Sequence, residues 1–322
     1  MKSTVTVILP TYNRPEAVEY LIKHFPFFSD NRIVLQIHDS SNNSKTKKVV
    51  ENLNERIEYF CYDSDIDPDT KLFNAINRVN TDYLWVISDG VVIKKNVFIE
   101  CLDSLMLSEI DVIHIDCSDP YNLGYKQYEN TTLFFKECFW SVTGYGSTII
   151  RTDKLQRLKD TNYEQYLKKN YSEVSAFLWP CMIFDVFSDM DCKIAHIMFD
   201  YFDVNPYKKS SSWLINGNAL EIWVDTLIDD VDRLPHVYNC YKESVCRSVW
   251  DNTGLNSIKK QLSMRRYSCL TYNKLIKRIN NGYLPKVTNK TSQLLAISMI
   301  PTFILKVAEN IYHHIKHRRR KY

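Results

Sequence analysis

Three stretches in the first 93 residues constrain the fold more than anything else in the chain. Val5-Thr6-Val7-Ile8-Leu9 runs into Pro10-Thr11-Tyr12-Asn13-Arg14, Val34-Leu35-Gln36-Ile37 into His38-Asp39-Ser40-Ser41, and Tyr83-Leu84-Trp85-Val86-Ile87 into Ser88-Asp89-Gly90. Each is a short apolar run closed by polar residues. Strands covered on both faces of a parallel sheet read as such runs. Ligands of open α/β sheets collect beyond the carboxyl ends of the strands. The polar residues that close the three runs therefore stand where a ligand would bind.

The intervening segments have helical spacing. Residues 15–28 place Ala17, Leu21 and Phe25 on one face, and Pro15 sits where a first helical turn tolerates it. Residues 47–53 predict a second helix, 57–62 a third strand and 70–79 a third helix. Alternation of this kind predicts a parallel sheet with flanking helices. Residues 97–107 read as a helix and 112–115 as a strand. The pattern loosens through an aromatic, polar stretch at 119–140, after which 143–151 supply a glycine turn and a strand. Residues 163–187 predict a helix in two pieces broken at Pro180, and 193–201 a strand. From residue 210 the spacing is helical, so the expected division is an α/β domain over 1–209 and a helical region over 210–322.

A chain of 322 residues exceeds the usual single domain, and 45% hydrophobic content is enough for a large core. The formal charge of +3 excludes a general nucleic-acid binder. Nine cysteines, at 61, 101, 117, 138, 181, 192, 240, 246 and 269, form no CxxC pair, which favours reduced thiols and a cytoplasmic setting. The opening residues become a strand rather than a signal peptide. Only 7 Gly and 10 Pro exclude a low-complexity chain.

Near the C-terminus, residues 294–305 are apolar but shorter than the roughly 20 residues needed to cross a bilayer. Lys306, His313, His314, Lys316, His317, Arg318, Arg319, Arg320 and Lys321 follow. Apolar surface joined to clustered cations suits a helix lying in the headgroup layer of an anionic membrane. A helix buried in a core or between subunits of a homo-oligomer has the same composition.

The three strand ends, with residues 71–78 and 81–85 between them, resemble the nucleotide-sugar half of the inverting glycosyltransferases of family 2, whose fold is GT-A. The opening strand followed by Pro10-Thr11-Tyr12-Asn13-Arg14 is the family's commonest signature, and the resemblance covers about the first third of the chain. It implies an enzyme that moves a sugar from a nucleotide-diphospho-sugar, with UDP as the default nucleotide, to a hydroxyl of a glycan or lipid-linked saccharide. It further implies a bacterial cell-surface polysaccharide pathway, with the protein peripheral at the inner face of the membrane.

Carried onto this sequence, the resemblance implies a donor loop of Pro10, Thr11, Tyr12 and Arg14, with Asp39 accepting a hydrogen bond from the base. Lys71 is a candidate for the diphosphate. Ser88 and Asp89 stand at the metal motif, and Asp89 would ligate Mg²⁺ or Mn²⁺, which oxygen ligands favour. The family's motif is Asp-x-Asp, whereas this chain reads Ser88-Asp89-Gly90-Val91, so a second carboxylate is missing. His196 and Asp200 are candidates to complete it. Inversion needs a general base, which the family places near the start of a helix after the glycine-turn strand. Asp185 and Glu173 are the candidates, with Asp189 and Asp191 behind them.

Two other readings compete. The missing Asp suggests a degenerate GT-A module that binds a nucleotide sugar or a partner protein without turnover. A nucleotidyltransferase would show a glycine-rich phosphate loop after the first strand, and residues 10–15 contain no glycine.

Overall fold

The computed structural model describes residues 4–25, 30–53, 57–95, 99, 101–103, 110–116, 124–155, 177–198, 202–207 and 218–307. The chain divides into two compact units. The first comprises Met1–Ser210 with Leu234–Tyr238, and the second Ser211–Arg233 with Asn239–Tyr322.

The first unit is built on an eight-stranded mixed sheet. Its strands are β1 (Val5–Thr11), β2 (Ile33–Asp39), β3 (Ile57–Cys61), β4 (Tyr83–Val86), β6 (Val112–Asp116), β7 (Gly124–Tyr128), β8 (Thr148–Arg151) and β9 (Ile194–Met198), in the order β3-β2-β1-β4-β8-β6-β9-β7. β5 (Val91–Ile93) and β10 (Phe202–Val204) form a separate antiparallel pair. The run β3-β2-β1-β4 is parallel throughout, whereas β8 lies antiparallel to both β4 and β6. Because β8 is the single reversed strand between them, β4 and β6 point the same way. The carboxyl ends of β1, β2 and β4 therefore share one edge of the sheet, and the amino ends of β6 and β9 lie at the other.

The strands are as apolar as the sequence reading required. Val5, Val7, Ile8, Leu9, Ile37, Leu84, Trp85 and Val86 are fully buried. Helix α1 (Pro15–His24) turns Ala17, Val18, Leu21 and Ile22 inward. Helix α2 (Pro68–Asn77) starts at Asp67, whose carboxylate accepts from the Thr70 amide at 2.8 Å, and buries Leu72, Phe73, Ala75 and Ile76.

The loose stretch around 119–140 contains two elements that the pattern did not predict. One is β7; the other is a helix, Thr131–Val142, capped by Asn130 and burying Phe134, Phe135, Cys138, Phe139 and Val142. Its buried positions recur at helical spacing with Lys136 and Glu137 exposed between them, but the exposed Leu133 and the half-buried Trp140 put apolar residues off that face and blur the period. The predicted break at Pro180 is instead a start. Pro180 lies in the first turn of the helix Leu178–Val186, where its missing amide donor costs nothing. The β5–β10 pair also escaped prediction, since each strand has only three residues.

In the second unit, Arg278 is buried and holds Asp225 through two bonds, Nε to Oδ1 at 2.7 Å and Nη2 to Oδ2 at 2.5 Å. Lys274 pairs with Glu221 at 2.9 Å. Gly282 adopts a left-handed φ of 73° between the helices Tyr272–Asn280 and Tyr283–Val287, a conformation that glycine takes without a Cβ penalty. The apolar run at 294–305 is not one helix. The helix Thr291–Ser298 buries Leu294 and Ile297, Pro301 follows, and Met299, Phe303, Ile304 and Val307 are exposed. Among the described residues no helix is long and apolar enough to cross a membrane.

Candidate active site

The carboxyl edge brings the predicted donor residues together. Thr11 ends β1 and is the register partner of Asp39 at the end of β2. Beyond Thr11 the chain turns sharply through Asn13, whose φ of 53° lies in the left-handed region that Asn tolerates better than most residues. The turn is clamped to the β2 loop: the Asn13 amide donates to Ser41 Oγ at 2.7 Å, and Asn13 Oδ1 accepts from the Asn42 amide and from Asn43 Nδ2. Tyr12 is left exposed on this loop, Pro10 is half-buried and Thr11 is buried.

Asp89 follows β4 and is buried. Its Oδ1 receives Arg14 Nη1 at 2.7 Å and its Oδ2 receives Thr11 Oγ1 at 3.0 Å. Ser88 is half-buried, and its Oγ accepts from the Gly90 amide. The Asp89 carbonyl accepts from Asn205 Nδ2 at 2.9 Å, and the same nitrogen donates to the Ala17 carbonyl. Asn205 is a buried residue that the sequence reading missed. It stands 116 positions away in sequence, and only the β5–β10 pairing brings it here.

Asp39 is almost fully enclosed. Its Oδ1 accepts from the Ser41 amide and hydroxyl at 2.8 and 2.5 Å, and its Oδ2 from the Tyr59 hydroxyl at 2.6 Å. Burial first, then the bond to Asp39, holds that Tyr59 hydroxyl protonated. Lys71 is buried between the strand ends, with Nζ donating to the Thr11 carbonyl at 2.9 Å and to Ser40 Oγ at 2.8 Å. Burial lowers its proton affinity, while Asp39 and Asp89 raise it. Lys71 thus ties β1 to β2 from beneath the loop rather than standing free on a helix face.

Asp185, one candidate for the general base, is not part of this cluster. Asp185 lies in the last turn of the helix Leu178–Val186, whose first turn holds no acidic residue. Its neighbour Phe184 presents a carbonyl to the Tyr238 hydroxyl at 2.8 Å, and Asp185, Asp189 and Cys192 all press on Tyr238 electrostatically. Cys192 lies just before β9, so Asp185 sits toward the amino edge of the sheet, away from Asp89. Asp191 lies at that edge too, lining a cavity of about 460 Å³ with Asp111, Arg151, Lys154 and Lys193. Glu173 and Asp200 lie outside the described residues. His196 is hydrogen-bonded to His114 and adjoins Cys138.

A divalent cation is what the resemblance implies beside the diphosphate. Asp89 as it stands does not fit that role. It is a single carboxylate, with one oxygen held by Arg14 and the other by Thr11.

No protein-family model matches the sequence, and no curated protein does. Solved structures do match. A crystal structure of S. aureus TarS residues 1–349 superposes with a TM-score of 0.52 at 10% identity, covering 92% of this chain and 90% of that one. The same fragment with UDP-GlcNAc gives 0.52 at 13% identity, covering 91% and 84%, and with UDP 0.53 at 11%, covering 92% and 90%. Against the longer TarS chain, 91% of this protein matches 50% of that one. The sheet order, the reversed β8 and these likenesses establish that the chain has the GT-A fold.

Proposed function

We propose that this protein is an inverting glycosyltransferase of family 2 that takes a UDP-sugar and passes the sugar to a hydroxyl of a glycan or lipid-linked saccharide in bacterial cell-surface polysaccharide synthesis. One observation carries the reading. Thr11, Arg14, Asp39 and Asp89, up to 78 positions apart in sequence, converge on one edge of a parallel sheet, where ligands of such sheets bind. The TarS fragment's complexes with UDP-GlcNAc and UDP favour UDP as the nucleotide.

In this reading Tyr12, exposed on the β1 loop, offers an aromatic wall to the uracil, and Asp39 sits at the base end of the donor. The leaving diphosphate gains negative charge as the glycosidic bond breaks, and a fixed cation beside it stabilises that change most. Arg14 fills that place. Asp89 and Thr11 anchor the loop from below, and four of the guanidinium's five N–H donors remain for phosphate oxygens. Transfer would then proceed without a divalent cation.

The acceptor hydroxyl must lose a proton as it attacks. Asp185 stands at the far edge of the sheet, so Glu173, in the segment leading to the first turn of its helix, is the better candidate. The exposed Met299, Phe303 and Ile304, followed in sequence by a basic run, favour peripheral contact with the inner face of a membrane.

The second reading, a GT-A module that binds the donor without turnover, is favoured by the acid-free first turn of the helix Leu178–Val186. Release of UDP from UDP-sugars separates the two. Turnover that disappears in Asp89→Ala supports the enzyme, and saturable donor binding with no UDP release supports the module.

A further inference from the structure

A second polar cluster lies in the other half of the sheet and plays no part in sugar transfer as proposed. His114 on β6 and His196 on β9 are direct register partners on parallel strands, so both side chains leave the same face. Their rings stack with centroids 4.9 Å apart and 26° between planes, and the two Nδ1 atoms are 2.7 Å apart. Cys138, from the helix Thr131–Val142, closes the third side with Sγ 3.7 Å from His196 Nδ1. The three donor atoms lie within 4.8 Å of one another, and all three residues are buried.

As an apolar core would have it, this arrangement is costly. Two imidazoles and a thiol are withdrawn from water for one nitrogen–nitrogen bond and two weak contacts to sulfur, and His114 Nε2 is buried with no partner. A neutral imidazole offers one ring-nitrogen lone pair to a metal.

The spacing suits a tetrahedral soft-ligand site. With metal–nitrogen bonds of about 2.0–2.1 Å and a metal–sulfur bond of about 2.3 Å, tetrahedral donors stand roughly 3.3–3.6 Å apart. The Cys138–His196 edge is already close to that, and the His114–His196 edge must open by about 0.6 Å, within the reach of small side-chain rotations. The Tyr128 hydroxyl lies 3.5 Å from Cys138 Sγ and donates to Glu137 at 2.7 Å. Two nitrogens and a sulfur from three different elements select zinc-like ions over Mg²⁺ or Mn²⁺. We propose that His114, Cys138 and His196 bind one zinc-like divalent cation that clips β6, β9 and the helix Thr131–Val142 together. Binding displaces the Cys138 thiol proton, which is released to solvent as the sulfur–metal bond forms.

The test uses the tag-free full chain, stripped of metal with a chelator and titrated with Co²⁺ and then with Zn²⁺. One equivalent of Co²⁺ should give tetrahedral visible bands and a thiolate-to-cobalt charge-transfer band, which Zn²⁺ abolishes by displacement. Cys138→Ser should remove the charge-transfer band and weaken binding by at least about 100-fold, and Cys246→Ser, at a buried thiol in the second unit, should change neither. No saturable binding, an octahedral spectrum without the sulfur band, or an unchanged band in Cys138→Ser would each overturn the proposal. The wild-type spectrum decides the matter even where a variant does not fold.

Discussion

Arg14→Ala tests the donor chemistry most sharply. Arg14 Nη1 meets Asp89 Oδ1 at 2.7 Å, with the Asp89 side chain 6% exposed and that of Arg14 29% exposed. A hydrogen bond between ionised groups is worth about 1.5–3 kcal/mol, and solvent on the arginine side reduces that to about 2 kcal/mol of stability. On the proposed function the catalytic loss is larger, because the guanidinium would face charge that grows only as the bond breaks. Removing one such donor costs roughly 2.7–4 kcal/mol, or about 100- to 1000-fold in kcat. The assay is UDP release from a UDP-sugar, with EDTA and then with added Mn²⁺. Wild type should be equally active in both, and Arg14→Ala should fall by about 100-fold or more without rescue by Mn²⁺. Wild type silenced by EDTA, together with an Arg14→Ala enzyme as active as wild type in Mn²⁺, would refute the reasoning.

Two further predictions concern stability and location. His38 is fully buried against Tyr62 and Phe60, and burial first, then the nearby cations of Arg78 and Lys71, lower its pKa to about 3. The unfolded chain therefore takes up this proton first, and stability is lost as pH falls from about 6.5 toward 3, by about 1.4 kcal/mol per unit. Urea unfolding should show wild type losing about 2 kcal/mol more than His38→Gln between pH 7 and pH 5; equal losses would show that His38 does not titrate this way. Deleting residues 301–322 removes the exposed Phe303, Ile304 and Val307 while keeping the buried Leu294 and Ile297. The shortened chain should unfold at the same temperature yet no longer sediment with anionic vesicles, and unchanged sedimentation would remove the membrane role.

The first half of the sheet was legible because its strands are buried on both faces and end in polar residues, which leaves a pattern in a single pass along the chain. Thr11, Asp39 and Asp89 were expected at one edge of the sheet on that pattern, and they share it. Asn205 was not, since its bonds to Ala17 and Asp89 depend on a three-residue strand far along the sequence. The helix Thr131–Val142 carries its buried residues at helical spacing, but the apolar Leu133 and Trp140 outside that face blurred the period. His114 and His196 are 82 residues apart, and only the β6–β9 register places them side by side. The residue best concealed was Lys71: its helix gives no sign that the side chain turns under the β1 loop instead of out toward a ligand.

Calorimetric titration of the full chain with UDP-GlcNAc and other UDP-, GDP- and dTDP-sugars, beside Asp39→Ala, bears most directly on the central assignment. At least one donor should bind wild type saturably with one site per chain, and Asp39→Ala should weaken it by about tenfold or more, the value of one hydrogen bond to a charged group. No heat from any sugar nucleotide, or identical binding by Asp39→Ala, would contradict a donor site at the carboxyl edge of this sheet.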